Sequence, residues 1–295
     1  MASLKEIRIR LASVASTKQI TNAMKMVSAA KLKKAQDAIV QIRPYADKLH
    51  ELLRRVSDTL SENDDNIYSA DREINRILIV VISSNRGLCG AFNTSVVRQV
   101  MHIIHTEYSR QLARNDVDFI VIGKKGAEPL KKFKYKIINQ RNDLLDKLNF
   151  DKVVPVAEEI MKGFADHSYD KVLLVYNQFK NAAVQILTTE QFLPVMVPDE
   201  EEDKQPGMFS DYIYEPTKDF IVQELIPRSL KIQFYKALLD SLASEHGARM
   251  TAMHKATDNA TEIIKELRLH YNKARQASIT NEILEIVSGA EALKG

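Results

Sequence analysis

The chain has 295 residues, 45% hydrophobic and 27% charged, with a formal net charge of +3. That balance fits a soluble, partly buried protein with room for about two domains, and is too mild to argue for nucleic acid as a partner. One cysteine, Cys89, excludes an intrachain disulfide and argues against a cysteine-based metal site.

Residues 1–10 carry scattered charges and no apolar core, so they do not read as a signal peptide, and no run is apolar enough to span a bilayer. Residues 2–57 read as a long helix. Leu4, Ile7, Leu11 and Val14 form one heptad-spaced set, Ile20, Met24 and Val27 a second, and Leu32, Ala35, Ile39 and Ile42 a third. A polar patch, Ser16-Thr17-Lys18-Gln19, separates the first two, and small residues crowd the middle at Ala23, Ser28, Ala29 and Ala30. The lysines Lys31, Lys33 and Lys34 fall on a face the seam does not use, and Pro44 is a candidate kink.

Residues 61–72 are polar and acidic, and read as a linker. Then the period changes. Residues 77–82 (ILIVVI) form a β-branched run of the kind buried on both faces of a parallel sheet. They lead into Gly87-Leu88-Cys89-Gly90-Ala91-Phe92-Asn93 and a helix over 94–114. Strands are expected at 119–122, 136–139, 171–177 and, at an edge, 184–193, with a turn at 123–126 and a helix over 153–166. Strands alternating with helices imply a mostly parallel sheet. Residues 199–207 read as an exposed acidic loop, with Thr217 as N-cap of the C-terminal helix and Pro227 interrupting that helix early.

From Ser229 to Ala290 the chain has no proline. Apolar and small residues recur at Ala260, Ile264, Leu267, Tyr271, Ala274 and Ser278, in steps of four and three. After a one-residue slip they continue at Ile279, Ile283, Ile286, Ala290 and Leu293. A helix this long would span roughly 90 Å and needs a partner along its length. Two broken seams at opposite ends of one chain suggest an antiparallel pair. The fold class expected is mixed α+β and α/β: a long antiparallel coiled coil of the N- and C-terminal helices with an inserted Rossmann-like α/β domain. The divisions are 1–60, 74–197 and 215–295, the last pairing with the first.

Chemistry is sparse. GLCGAFN sits where a doubly wound fold puts its phosphate loop, but matches neither G-x-G-x-x-G nor G-x-x-x-x-G-K-[ST]. The simpler reading is a tight strand-to-helix turn whose glycines take positive φ. Cys89 has no histidine nearby in sequence, and His102 and His105 lack further ligands, so no catalytic set and no cofactor is indicated. Arg275 and Gln276 are adjacent and point to different sides of the helix, as a partner enclosing it would require. The competing readings are a nucleotide-binding α/β protein with a helical appendage and a coiled-coil scaffold.

Several stretches are recognisable. Ile279-Thr280-x-Glu282-x-x-Glu285-x-x-x-Gly289-Ala290-x-Ala292 resembles the C-terminal signature of the gamma subunit of rotary F-type ATP synthases. Residues 18–27 (KQITNAMKMV), 86–90 (RGLCG), 256–260 (ATDNA) and 271–278 (YNKARQAS) are similar to the same family, in its bacterial form. The resemblance implies a central rotor shaft that performs no bond chemistry and needs no cofactor. It would stand within a hexamer of alpha and beta subunits, with its α/β domain beside the epsilon subunit and the membrane-embedded c-subunit ring. Its place would be the cytoplasmic face of the bacterial inner membrane, as a peripheral protein. Torque and partner contacts would fall on Met24, Lys25, Arg249, Arg275, Gln276, Thr280 and Glu282.

Overall fold

The computed structural model describes residues 4–57, 67–68, 72–195 and 218–292. In chain order they form α1 (Leu4–Ser57), β1 (Ile77–Ile82), α2 (Phe92–Thr106), α3 (Ser109–Ala113), β2 (Val117–Ile122), α4 (Lys124–Lys132) and β3 (Lys136–Gln140). A 3-10 turn (Asp143–Leu145), α5 (Phe150–Ala165), β4 (Lys171–Phe179), β5 (Gln185–Leu193) and α6 (Lys218–Ala292) complete them. The chain divides into two compact units, Ala30–Ala248 and the pair Met1–Ala29 with Arg249–Gly295, so each long helix contributes to both. Among the described residues no helix is long and apolar enough to cross a membrane.

The larger unit is built on a five-stranded sheet ordered β3-β2-β1-β4-β5. β1 pairs in parallel with β2 and β4, β2 with β3, and β5 returns antiparallel along β4 as the edge strand. All six residues of β1 are fully buried because both faces are covered. Leu78, Val80 and Ile82 face α5 (Val153, Ile160, Phe164) and the early part of α6 (Ile226, Leu230, Phe234, Leu238). Ile77, Ile79 and Val81 face α2 (Val96, Val100, Ile103) and α4 (Leu130). The early part of α6 therefore serves as a covering helix of the sheet. Gln233 of α6 donates to Glu190 of β5 at 2.7 Å, Tyr176 of β4 donates to the same carboxylate at 2.8 Å, and Lys231 pairs with Glu158 of α5 at 2.6 Å.

Two glycine sites show why small residues stand there. A Cβ on Gly126 would lie 2.6 Å from Ser83 Oγ, and the Gly126 amide donates to that oxygen at 2.9 Å, so α4 starts in backbone contact with the end of β1. A Cβ on Gly247 would sit 3.2 Å from Ala182 Cα, because the β4–β5 hairpin turn lies against the α6 backbone.

Four expectations change. The helix expected over 94–114 is two, because the chain breaks at Tyr108, whose ring is buried among α2 and sheet residues. Residues 123–126 are the start of α4, where Gly123 at φ 103 allows the sharp entry. α6 runs through Pro227 without a break. Burial of Ile226 and Leu230 offsets the lost backbone hydrogen bond. In GLCGAFN only Gly90 of the two glycines takes positive φ (60°), and the other left-handed residue is Leu88 (63°), exposed at 65%. Thr217, the 199–207 loop and most of the 61–72 linker lie outside the described residues.

Asp240 of α6 is buried at 5% exposure. Burial pushes its carboxyl from 3.8 up to about 6; Lys236 and Arg43 oppose the shift and Glu190 adds to it. Between about pH 4 and pH 6 the folded chain holds a proton that the unfolded chain has lost, so this group's contribution to stability falls as pH rises through that window and is level above it. Asp240→Asn is expected to flatten that slope and raise stability at pH 7 by about 1–3 kcal/mol. Urea denaturation of the full chain on either side of pH 6 measures this; parallel pH profiles for the two proteins would contradict it.

Candidate functional site

The smaller unit is a pair of helical segments, residues 4–29 of α1 and 249–292 of α6. Two contacts fix its geometry. Arg8 donates to the Tyr271 hydroxyl at 3.0 Å, with its guanidinium carbon 5.9 Å from the ring centroid. Thr21 Oγ1 and Thr257 Oγ1 share a buried hydrogen bond at 2.9 Å. The partner number falls on α6 as the residue number rises on α1, so the helices run antiparallel in nearly constant register.

On α6 the expected heptad seam of Ala260, Ile264, Leu267, Tyr271, Ala274 and Ser278 is buried or half-buried, and buried Met253 and Thr257 extend it toward the larger unit's end of the helix. On α1 the seam differs from expectation. It continues without interruption from Leu4, Ile7, Leu11 and Val14 through Lys18, Thr21, Met24, Lys25 and Ser28, all buried or half-buried. Ile20 (60%) and Val27 (57%) are exposed instead, as are Ala23 and Ala30. The seam crosses the polar patch at Lys18 and goes on through Thr21, while Ser16, Thr17 and Gln19 are exposed. For the seam hydroxyls, carbonyls of their own turns lie within reach as well: Thr21 Oγ1 is 3.0 Å from Lys18 O and Thr257 Oγ1 is 2.8 Å from Met253 O, so one hydroxyl donates across the pair and the other to its own carbonyl, while Ser28 donates to Met24 O at 2.7 Å. Unbroken three-and-four spacing, followed regardless of polarity, would have found them.

The same register divides the seven candidate residues between two levels. Met24 and Lys25, half-buried, lie near the level of Arg249, which is 7% exposed. Arg275, Gln276, Thr280 and Glu282 are all exposed, roughly 40 Å further along α6 at 1.5 Å per residue. Leu4 falls at about the level of Ala274, so from Arg275 onward α6 has no α1 residue opposite among the described residues. That overhang of about 25 Å exposes Ile279 (48%), Ile283 (55%), Leu284 (57%), Ile286 (70%) and Val287 (48%). Thr280 donates to Gln276 O at 2.9 Å, and Ser278 to Glu282 at 3.4 Å. Ile279, Ile283 and Ile286, expected as a continuing seam, therefore face outward.

The Tyr271 phenol is held below its ordinary pKa, first by the hydrogen bond from Arg8, while the same bond raises the Arg8 guanidinium. In the other unit, the GLCGAFN turn directs its polar groups inward. Asn93 accepts from the Ser84 amide at 2.9 Å and donates to the buried Cys89 Sγ at 3.2 Å, and Asn177 donates to Phe92 O at 3.2 Å. Among the described residues no group of three or more His, Cys, Asp or Glu could hold a metal ion.

Comparison with known proteins decides the family. The ATP synthase family matches residues 3–293. The chain is 57% identical to the ATP synthase gamma chain of Christiangramia forsetii and 56% identical to that of Flavobacterium johnsoniae, each over 295 residues and the whole of both chains.

The chain belongs to the ATP synthase gamma chain family.

A solved relative agrees. A chain from the central stalk and c-ring structure of the Tetrahymena thermophila mitochondrial ATP synthase is 26% identical with a TM-score of 0.58, covering 80% of this chain and 99% of that one. As a gamma chain the protein is a non-catalytic subunit, and its work is that of the central rotor shaft of an F-type ATP synthase.

The Thr21–Thr257 bond supplies a test of the gamma-chain shaft. Thr21→Val or Thr257→Val alone should each cost about 0.5–1.5 kcal/mol, and the double variant should cost clearly less than the sum. Urea denaturation of the full chain over this cycle measures the coupling; additive costs would show that the hydroxyls do not depend on each other.

Proposed function

We propose that the shaft engages its enzyme at two levels, one set by Met24, Lys25 and Arg249, the other by the overhang that bears Arg275, Gln276, Thr280 and Glu282. The observation that carries this is the overhang itself. A helix end with five exposed branched aliphatic residues and no partner among the described residues calls for an enclosing apolar wall. The wall is supplied by the alpha and beta subunits of the catalytic hexamer. Of the expected divisions 1–60 and 215–295, the paired segments 4–29 and 249–292 form the part of the shaft that enters the hexamer. The α/β domain, 74–197, meets the epsilon subunit and the membrane-embedded c-subunit ring at the cytoplasmic face of the bacterial inner membrane, where the chain is a peripheral protein.

The mechanism follows from asymmetry. An antiparallel pair of unlike helices presents a different set of side chains at each angle, so each surrounding subunit meets a changing surface as the pair turns. Each catalytic subunit then shifts between affinity states by the difference in contact free energy it experiences. Contacts suited to this must form and break. A fully buried ion pair would resist separation by about 3–5 kcal/mol, whereas a hydrated, charge-assisted bond of about 1.5–3 kcal/mol releases readily. Arg275 is exposed and offers a planar five-donor fork to a carboxylate on a catalytic subunit. Gln276 adds a neutral donor and acceptor beside it.

Arg275→Leu should leave the complex assembled and slow ATP synthesis and hydrolysis by roughly tenfold or more, with Arg275→Lys in between. Rates on purified complexes of verified composition are the readout, and normal rates with normal coupling would move torque transfer elsewhere. Met24→Lys should likewise assemble but uncouple. The new ammonium, placed in a half-buried seam position, adds an ionic contact that opposes rotation. Proton pumping should fall more than ATP hydrolysis in membranes; equal retention of both would remove Met24 from the coupling path.

A further inference from the structure

The junction between α4 and β3, Lys131-Lys132-Phe133-Lys134-Tyr135-Lys136, carries four lysines in six residues. Its four lysines divide into two kinds. Lys131 donates to Gln140 at 2.7 Å and Lys136 pairs with the buried Asp118 at 2.8 Å, so both are held by their own domain. Lys132 and Lys134 are exposed, and among the described residues neither side chain has a hydrogen bond or ion pair. Between them Phe133 is 57% exposed, its ring 6.2 Å from that of Tyr135. Two residues along the edge strand, on the same side as Lys136, Ile138 is 41% exposed. Lys134 takes φ 60°, a left-handed conformation in which glycine or asparagine is the usual occupant. Glycine would relax the turn but remove a charge from its tip.

We infer that this junction is a docking surface for an anionic membrane, with Lys132 and Lys134 among acidic headgroups and the Phe133 ring at the boundary with the acyl chains. Charge and apolarity together select the occupant. Free ammonium groups on both sides of an exposed ring fit a surface that is negative outside and apolar just beneath. A solvated acidic peptide would satisfy the lysines but leave the ring in water. The chain offers an internal control in Lys31, Lys33 and Lys34 of α1, which are exposed and equally basic but surround Leu32, buried at 6%. The inference rests on the proposed location of the chain at the membrane face.

The test is co-sedimentation of the full chain with phosphatidylcholine vesicles, plain or carrying roughly 30% phosphatidylglycerol, at about 50 and 300 mM salt. Binding is expected only to the anionic vesicles and mainly at low salt. The Lys132→Glu/Lys134→Glu variant should bind roughly tenfold more weakly or worse. Phe133→Ser should weaken binding several-fold at unchanged charge, and Lys33→Glu/Lys34→Glu should bind as the parent does. Because the substituted side chains are exposed, circular dichroism should show all variants folded as the parent is. The inference fails if the parent ignores anionic vesicles at low salt, if the control pair weakens binding as much as Lys132 and Lys134 do, or if Phe133→Ser has no effect. It also fails if vesicle binding is unchanged in the junction variants while their assembled complexes lose a protein subunit, which would assign the surface to that subunit. None of these outcomes touches the shaft reading, which is judged by the rates of assembled complexes carrying Arg275→Leu.

Discussion

The hydrogen bond between Thr21 and Thr257 decides which turn of α1 faces which turn of α6. Apolar seams alone specify register weakly, since sliding by a heptad restores most of the same contacts. A buried hydroxyl pair disfavours such a slip, because the bond between the two groups across the interface would be lost. The Arg8–Tyr271 contact holds the same register near the start of the described part of α1. With register fixed, the length of α6 left beyond the described part of α1 is fixed too. Arg275 and Gln276 fall just beyond that point.

α6 changes its surroundings along its length, and its sequence changes with them. Within the larger unit, from Ala237 to Gly247, nearly every residue is buried, charged and polar ones such as Asp240, Glu245 and His246 included. From Met253 to Ser278 burial contracts to one face, centred on a three-and-four stripe. From Ile279 to Glu291 every residue is exposed. Buried polar groups in the first stretch require partners, and Asp240 answers in part by holding its proton to higher pH. The last stretch does the reverse, exposing aliphatic side chains that water disfavours. An isolated protein would gain by covering them, which is why the overhang is the most direct structural trace of a surrounding assembly.

The α/β unit shows how a familiar arrangement can be turned to other work. Its parallel strands reverse direction of order at β1 and β4, the point where doubly wound folds open a crevice for ligands. Here the turn at that point bonds to itself through Ser84, Cys89 and Asn93, and Asn177 reaches across to Phe92. The early part of α6 packs on one face of the sheet beside α5, so the same helix that forms half of the shaft is also part of this domain's core.

Periodicity by itself determined much of this protein. The strand of residues 77–82 could be read because a run of β-branched residues has few stable fates other than a strand covered on both faces. The α6 seam from Ala260 to Ser278 could be read because its spacing and its apolarity agree. Where those two signals part, the tertiary structure decided. Lys18, Thr21, Lys25 and Ser28 hold seam positions that hydrophobicity alone would give to Ile20 and Val27, since a helix face is chosen by angle and a facing hydroxyl can make a polar position acceptable. The start of α4 at Lys124 and the passage of α6 through Pro227 were equally out of reach. One depends on how closely Gly126 approaches Ser83, the other on the burial of Ile226 and Leu230 against a sheet far away in sequence. The motif that carries Arg275 and Gln276 is written in the sequence. That these two fall opposite no described residue of α1 comes only from register, a relation between two segments more than two hundred residues apart.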